Sequence, residues 1–195
     1  MLLWLAVQIA ALSIAAFRIP LWAQAPANGE LLSLKLLAII QIGASSLLFP
    51  WLMRKYRQSI MIVAASWPFI ALAGLLSAEE LRSIGYVAVF VTAWLVVLIM
   101  LRIALRTSAQ EVIAIAAVGF WIIGGPLIWY CGKEFGPPNV GWRFAQWEPI
   151  VAVSTGSLER NASAWYGLAI MLALATFLFA GARFFYRDRN WAEVS

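Results

Sequence analysis

Long apolar runs separated by short polar stretches set the pattern of this 195-residue chain. A helix needs about 20 apolar residues to cross roughly 30 Å of hydrocarbon. The pattern predicts six spans, at roughly 2–22, 31–53, 59–77, 83–105, 112–131 and 164–185. The first rests on the apolar run Leu2 to Phe17, and it reaches Trp22 only if Arg18 snorkels to the interface. The second contains Gln41 and the Ser45-Ser46 pair and ends at Phe49-Pro50-Trp51. The third holds Trp67-Pro68, where the missing proline N–H predicts a kink. The fifth carries Gly119, Gly124-Gly125 and Pro126, which predict a bend or break near its outer end. The expected fold is an all-α integral membrane bundle of about six helices, forming a single transmembrane domain over 1–195 with no soluble domain.

One sizeable segment lies outside the spans, residues 132–163. It opens with a turn-forming run from Gly132 to Asn139. The stretch that follows is too apolar for a free loop. Trp142, Phe144 and Trp147 suit an interfacial or re-entrant position, because aromatic rings settle at headgroup level. Pro149 fits the first turn of a short helix from Ile150 to Ser157. Two roles stay open for this segment: a lid packed on the bundle, or a direct substrate contact through Trp142, Arg143, Trp147, Glu148 and Pro149.

Composition sharpens the picture. Apolar residues make up 64% of the chain and charged residues 12%, against roughly 45–50% and about 25% in a soluble domain. There is no histidine, and Cys131 is the single cysteine. Ordinary haem ligation and His/Cys zinc or iron–sulfur sites are therefore not expected. Intramembrane proton relays commonly use Asp, Glu or His, and all nine acids here fall in loops or at span ends. The N-terminus is read as a retained span rather than a cleaved signal peptide. It lacks a positively charged n-region, and Pro26 follows the Ala23-Gln24-Ala25 site.

Charge sets an expected orientation. With both termini cytoplasmic, the inner face holds Arg54, Lys55, Arg57, Arg102, Arg106, Arg183, Arg187 and Arg189 against Glu111, Asp188 and Glu193. The outer face holds Arg18, Lys35, Arg82, Lys133, Arg143 and Arg160 against Glu30, Glu79, Glu80, Glu134, Glu148 and Glu159. The net +5 of the whole chain then sits inside. Such topogenic charge faces anionic lipid and implies no nucleic-acid partner.

A search for chemistry finds no Gly-rich phosphate loop, no carboxylate pair within a span and no Ser/His/Asp set. Cys131 reads as a small buried hydrophobe at a span end. Trp4, Trp22, Trp51, Trp129, Trp165 and Trp191 read as an aromatic belt. Gly74, Gly85, Gly119 and Gly181 read as packing residues that let helices approach. The sequon at Asn161 to Ser163 is short enough to arise by chance. No enzyme, cofactor or metal site is expected.

The stretch from Trp67 to Ile128 resembles the membrane subunit of type-2 ABC exporters. The shared features are a proline in the third span, a small-residue-plus-Leu run into the acidic turn at Glu79-Glu80, and a fourth span closing on the basic turn Leu101 to Gln110. Trp147-Glu148-Pro149-Ile150 is similar to that family's Asn-Pro-hydrophobic motif, with Glu in place of Asn, and a basic tail follows from Arg183 to Arg189. The resemblance implies six spans with both termini inside, a partly re-entrant outer segment, a separate cytoplasmic ATPase and a second copy of the chain. One departure stands out. The family's coupling element between the second and third spans carries an acidic-basic-Gly-Thr run, and here there is only Arg54 to Ser59. If coupling occurs, Arg54, Lys55, Tyr56 and Arg57, with Arg102 and Arg106 nearby, are the candidate contacts.

Two functions follow as expectations. One is a permease subunit in a bacterial inner membrane. Its substrate would be lipid-like or apolar, because the spans offer almost no polar lining. The other is a non-catalytic accessory subunit that buries its faces against other membrane subunits or lipids.

Overall fold

The computed structural model describes residues 2–17, 33–53, 56–76, 80–105, 107–135, 149–156, 169–177 and 180. Helices dominate, and no strand occurs among the described residues. The elements are α1 (Leu2–Phe17), α2 (Ser33–Leu52), α3 (Tyr56–Leu76), α4 (Leu81–Ala104), α5 (Ser108–Phe135) and a short α6 (Pro149–Gly156). Residues 169–177 are also helical. Four stretches are long and apolar enough to cross a membrane: Leu34–Leu52, Arg57–Leu76, Leu81–Ala104 and Ser108–Ile128. These helices fit a multi-pass membrane protein. The 16 residues of α1 rise only about 24 Å at ~1.5 Å each, less than a bilayer core.

Of the bend or break expected near the outer end of α5, the break does not occur. The helix runs through Pro126 to Phe135, and α2 and α3 likewise continue through Pro50 and Pro68. The physical reason is the cost of the alternative. A proline forfeits one helical bond, whereas a true break in an apolar medium strands several backbone groups at several kcal/mol each.

The helix ends have local causes. Thr107 and Gln110 form a reciprocal capping box before α5. Gln110 N–H donates to Thr107 Oγ1 at 3.3 Å, and Thr107 N–H donates to Gln110 Oε1 at 3.2 Å. Extended residues flank α4, Glu80 at ψ 141° and Leu105 at ψ 131°, and they end its helical geometry on either side.

Helix α2 occupies the centre and packs against α1, α3, α4, α5 and α6. Within their apolar windows, 56% of α2 and of α4 is buried but only 17% of α5. The core therefore lies around α2 and α4, with α5 at the periphery. Its large members include Phe49, Phe90, Trp94, Leu95 and Leu98, all buried. Gly74 is a real packing glycine: a Cβ there would overlap the Ile84 side chain across the α3–α4 turn. Gly85 and Gly119 are not, since an added Cβ at either would meet nothing nearby. Gly181 lies outside the described residues.

Helix α6 matches the expected outer-segment helix within one residue at each end. Pro149, Ala152 and Val153 are buried, and the helix packs on α2, α4 and α5. Tyr86 Oη donates to the Ala152 carbonyl at 3.4 Å, which ties α6 to the first turns of α4.

Candidate functional site

The polar side chains with the most constrained surroundings lie between helices. On α2, Gln41, Ser45 and Ser46 fall within about one and a half turns. Gln41 meets Gln8 of α1: its Nε2 donates to Gln8 Oε1, with both side chains fully buried. On α1, Trp4, Gln8 and Ala11 are spaced by four and three residues, and all three are buried. That spacing makes them the inward stripe of the helix.

A turn further along α2, Ser45 Oγ donates to the Ile42 carbonyl at 3.0 Å, and Ser46 Oγ donates to the same carbonyl at 2.6 Å. The Ser46 oxygen also accepts the Trp94 indole N–H from α4 at 3.2 Å. The single Ser46 proton goes to the backbone and its lone pair to Trp94, so both bonds form together. The Trp94 ring then meets Trp121 of α5 edge-on, with centroids 5.7 Å apart and planes at 75°, the geometry aromatic quadrupoles favour. One seam thus joins α1, α2, α4 and α5.

A second polar link joins α3 to α4. Trp67 Nε1 donates to Thr92 Oγ1 at 3.0 Å, and Thr92 Oγ1 donates to the Ala88 carbonyl at 2.7 Å. Trp67 is about half exposed, so this link sits at the bundle's rim. Ser66 is buried and spends its hydroxyl on the Ile62 carbonyl at 2.9 Å.

The residues singled out from sequence fare unevenly. Arg54, Lys55, Arg106, Trp142, Arg143, Trp147 and Glu148 lie outside the described residues. Tyr56 begins α3 and Arg57 is exposed beside it. Arg102 is engaged: its Nη1 sits 2.9 Å from Glu111 Oε1, bridging the end of α4 to the start of α5. Pro149 heads α6 and is buried. Cys131 is exposed. Among the described residues, no three His, Cys, Asp or Glu side chains gather as a metal site would require.

Two residues escaped the sequence reading. Gln8 interrupts the run read as continuously apolar in α1. Its signal was the spacing to Trp4, which puts an amide on the same stripe as a large aromatic. Lys35 was counted as an outer-face charge. It is instead 2% exposed in the first turn of α2 and takes part in an interaction there. Comparison of the chain with protein-family models, curated proteins and solved structures finds no match.

Proposed function

We propose that the chain is a non-catalytic structural subunit of a larger membrane assembly. It crosses a bacterial inner membrane six times with both termini cytoplasmic. The observation that carries this reading is where the buried polar groups point. Gln8 and Gln41 face each other, and Ser46 and Trp94 face each other. A conduit for a hydrophilic solute would instead turn such groups toward a wet lumen. Polar contacts of this kind hold membrane helices together, because lipid offers no hydrophobic drive between them. The Arg102–Glu111 ion pair joins the end of α4 to the start of α5 on one face, whichever side of the membrane that face meets.

The orientation makes a direct prediction. Reporter fusions at residue 56 and at residue 140 should report opposite sides of the membrane. The same side for both would sink the six-span scheme.

A second reading has its own support. The resemblance to type-2 ABC exporters implies a partly re-entrant outer segment, and the described part of that segment, α6, packs on α2, α4 and α5. In that reading the chain is a permease subunit for a lipid-like substrate, paired with a second copy and a cytoplasmic ATPase. The ATPase would press on the turn Arg54 to Arg57, with Tyr56 as the apolar anchor. Arg102 has less to offer, because Glu111 already holds it.

Copurification in mild detergent separates the two. The structural reading expects integral membrane partners and no nucleotide-binding subunit. Recovery of a stoichiometric ATPase that is lost on Arg54→Glu with Arg57→Glu, at unchanged protein level, would overturn it in favour of the permease.

A further inference from the structure

The seam between α1 and α2 has more hydrogen-bonding groups than the Gln8–Gln41 bond uses. After that bond forms, Trp4 Nε1, Gln8 Nε2 and Gln41 Oε1 have no partner, and each belongs to a side chain with 0% exposure. Two of the three atoms belong to one bonded glutamine pair, and the third lies one helical turn away on α1. Trp4 and Gln8 stand one turn apart on the same stripe of α1, about 6 Å along the axis, and Gln41 is bonded to Gln8. The set is two N–H donor groups and one carbonyl acceptor. None of the three carries a charge or titrates near neutral pH.

We propose that this seam is a built site for one internal water molecule. Only a few chemistries suit the donor set. The guest must accept from the Trp4 indole and the Gln8 amide and donate to the Gln41 carbonyl. A carbonyl or ether can accept but not donate, and an ammonium can donate but not accept. A hydroxyl compound has the right polarity but carries a carbon substituent, and these groups are closed off on every side. Water supplies two lone pairs and two protons, and buried waters typically make about three hydrogen bonds. The bilayer offers no other solvent for these groups, so the incentive to retain a water is greater than in a soluble core. Trp94 supplies the contrast within the same bundle. It is just as buried, but its N–H is already taken by Ser46.

The test is nuclear magnetic resonance on the perdeuterated full chain in perdeuterated detergent, with N–H groups back-exchanged, so that magnetisation reaching a buried N–H comes from water or from other N–H groups. Magnetisation transfer from water should appear at the Trp4 indole and at the Gln8 side-chain amide, and be absent at the Trp94 indole. In Gln8→Met, which keeps the apolar volume, transfer to Trp4 should fall at least two-fold. Trp4 and Gln8 signals as dry as that of Trp94 would overturn the proposal. So would an undiminished Trp4 signal in Gln8→Met, since Trp4 would then be hydrated separately. Should Gln8→Met fail to fold, Trp4→Phe serves instead, with the same two-fold fall expected at the Gln8 amide. These outcomes do not depend on which proteins copurify.

Discussion

Trp94→Ala is expected to destabilise the full chain by about 3–5 kcal/mol, the range for deleting a large buried aromatic. Trp94 is fully buried at the middle of α4. It donates to Ser46 of α2 and meets Trp121 of α5, so one truncation loosens three helices. Trp94→Phe keeps a ring against Trp121 and loses the N–H, for an expected cost nearer ~1–2 kcal/mol. Ser46→Ala removes the acceptor and strands the Trp94 N–H, costing about 1–3 kcal/mol. In a double-mutant cycle, Trp94→Phe with Ser46→Ala should cost less than the two singles summed, by roughly 0.5–1.5 kcal/mol. The measurement is reversible unfolding in mixed detergent, followed by helical circular dichroism. A Trp94→Ala cost below about 0.5 kcal/mol would remove α4 from the core.

Hydrophobic length was easy to read along this chain. The four long helices lie within a few residues of the expected spans, because span length is set by the bilayer and apolar runs mark it directly. The short α6 was also legible, since Pro149 at a helix start followed by an apolar run leaves few alternatives. What was hidden is which way each helix faces. Helix α4 is apolar on every side from Val87 round to Ile99 apart from Thr92, so no stripe marks its buried face. The inward faces emerge only from tertiary pairing, such as Ser46 with Trp94. Proline was misleading in α5 for a related reason. The rule that proline ends a helix comes from water, where freed backbone groups find new partners, and Pro126 lies in a stretch apolar enough to lack them. The ion pair of Arg102 with Glu111 was overlooked because charge was counted there as topology and not as contact.

Those pairings bear on function more than the charged turns do. A charged turn can be explained by topology alone. A glutamine inside an apolar helix cannot, since burying an amide in hydrocarbon is costly unless it is bonded. The Gln8–Gln41 contact therefore marks where α1 must dock. The described part of α1 is also the shortest among α1 to α5, so it has the most to gain from a specific polar anchor.

The second prediction tests that anchor. Gln41→Leu should destabilise the docking of α1 by about 1–3 kcal/mol, because it removes the donor to Gln8 and leaves a whole buried amide without its protein partner. Gln8→Leu should cost a similar amount, now stranding Gln41. The double variant, Gln8→Leu with Gln41→Leu, should recover most of the loss, since two leucines face each other with no polar group stranded. Inter-helix bonds in membranes average only ~0.6 kcal/mol and reach about 1.7 kcal/mol, so the singles should exceed the bond itself by the cost of the orphaned partner. The readout is protease or thiol accessibility of α1, probed at a cysteine placed at buried Ala11 in a Cys131→Ser background. Singles should raise the labelling rate and the double variant should bring it back. A double variant that labels faster than either single would mean that the glutamines act independently, and α1 would then be held by Trp4 and the apolar stripe alone.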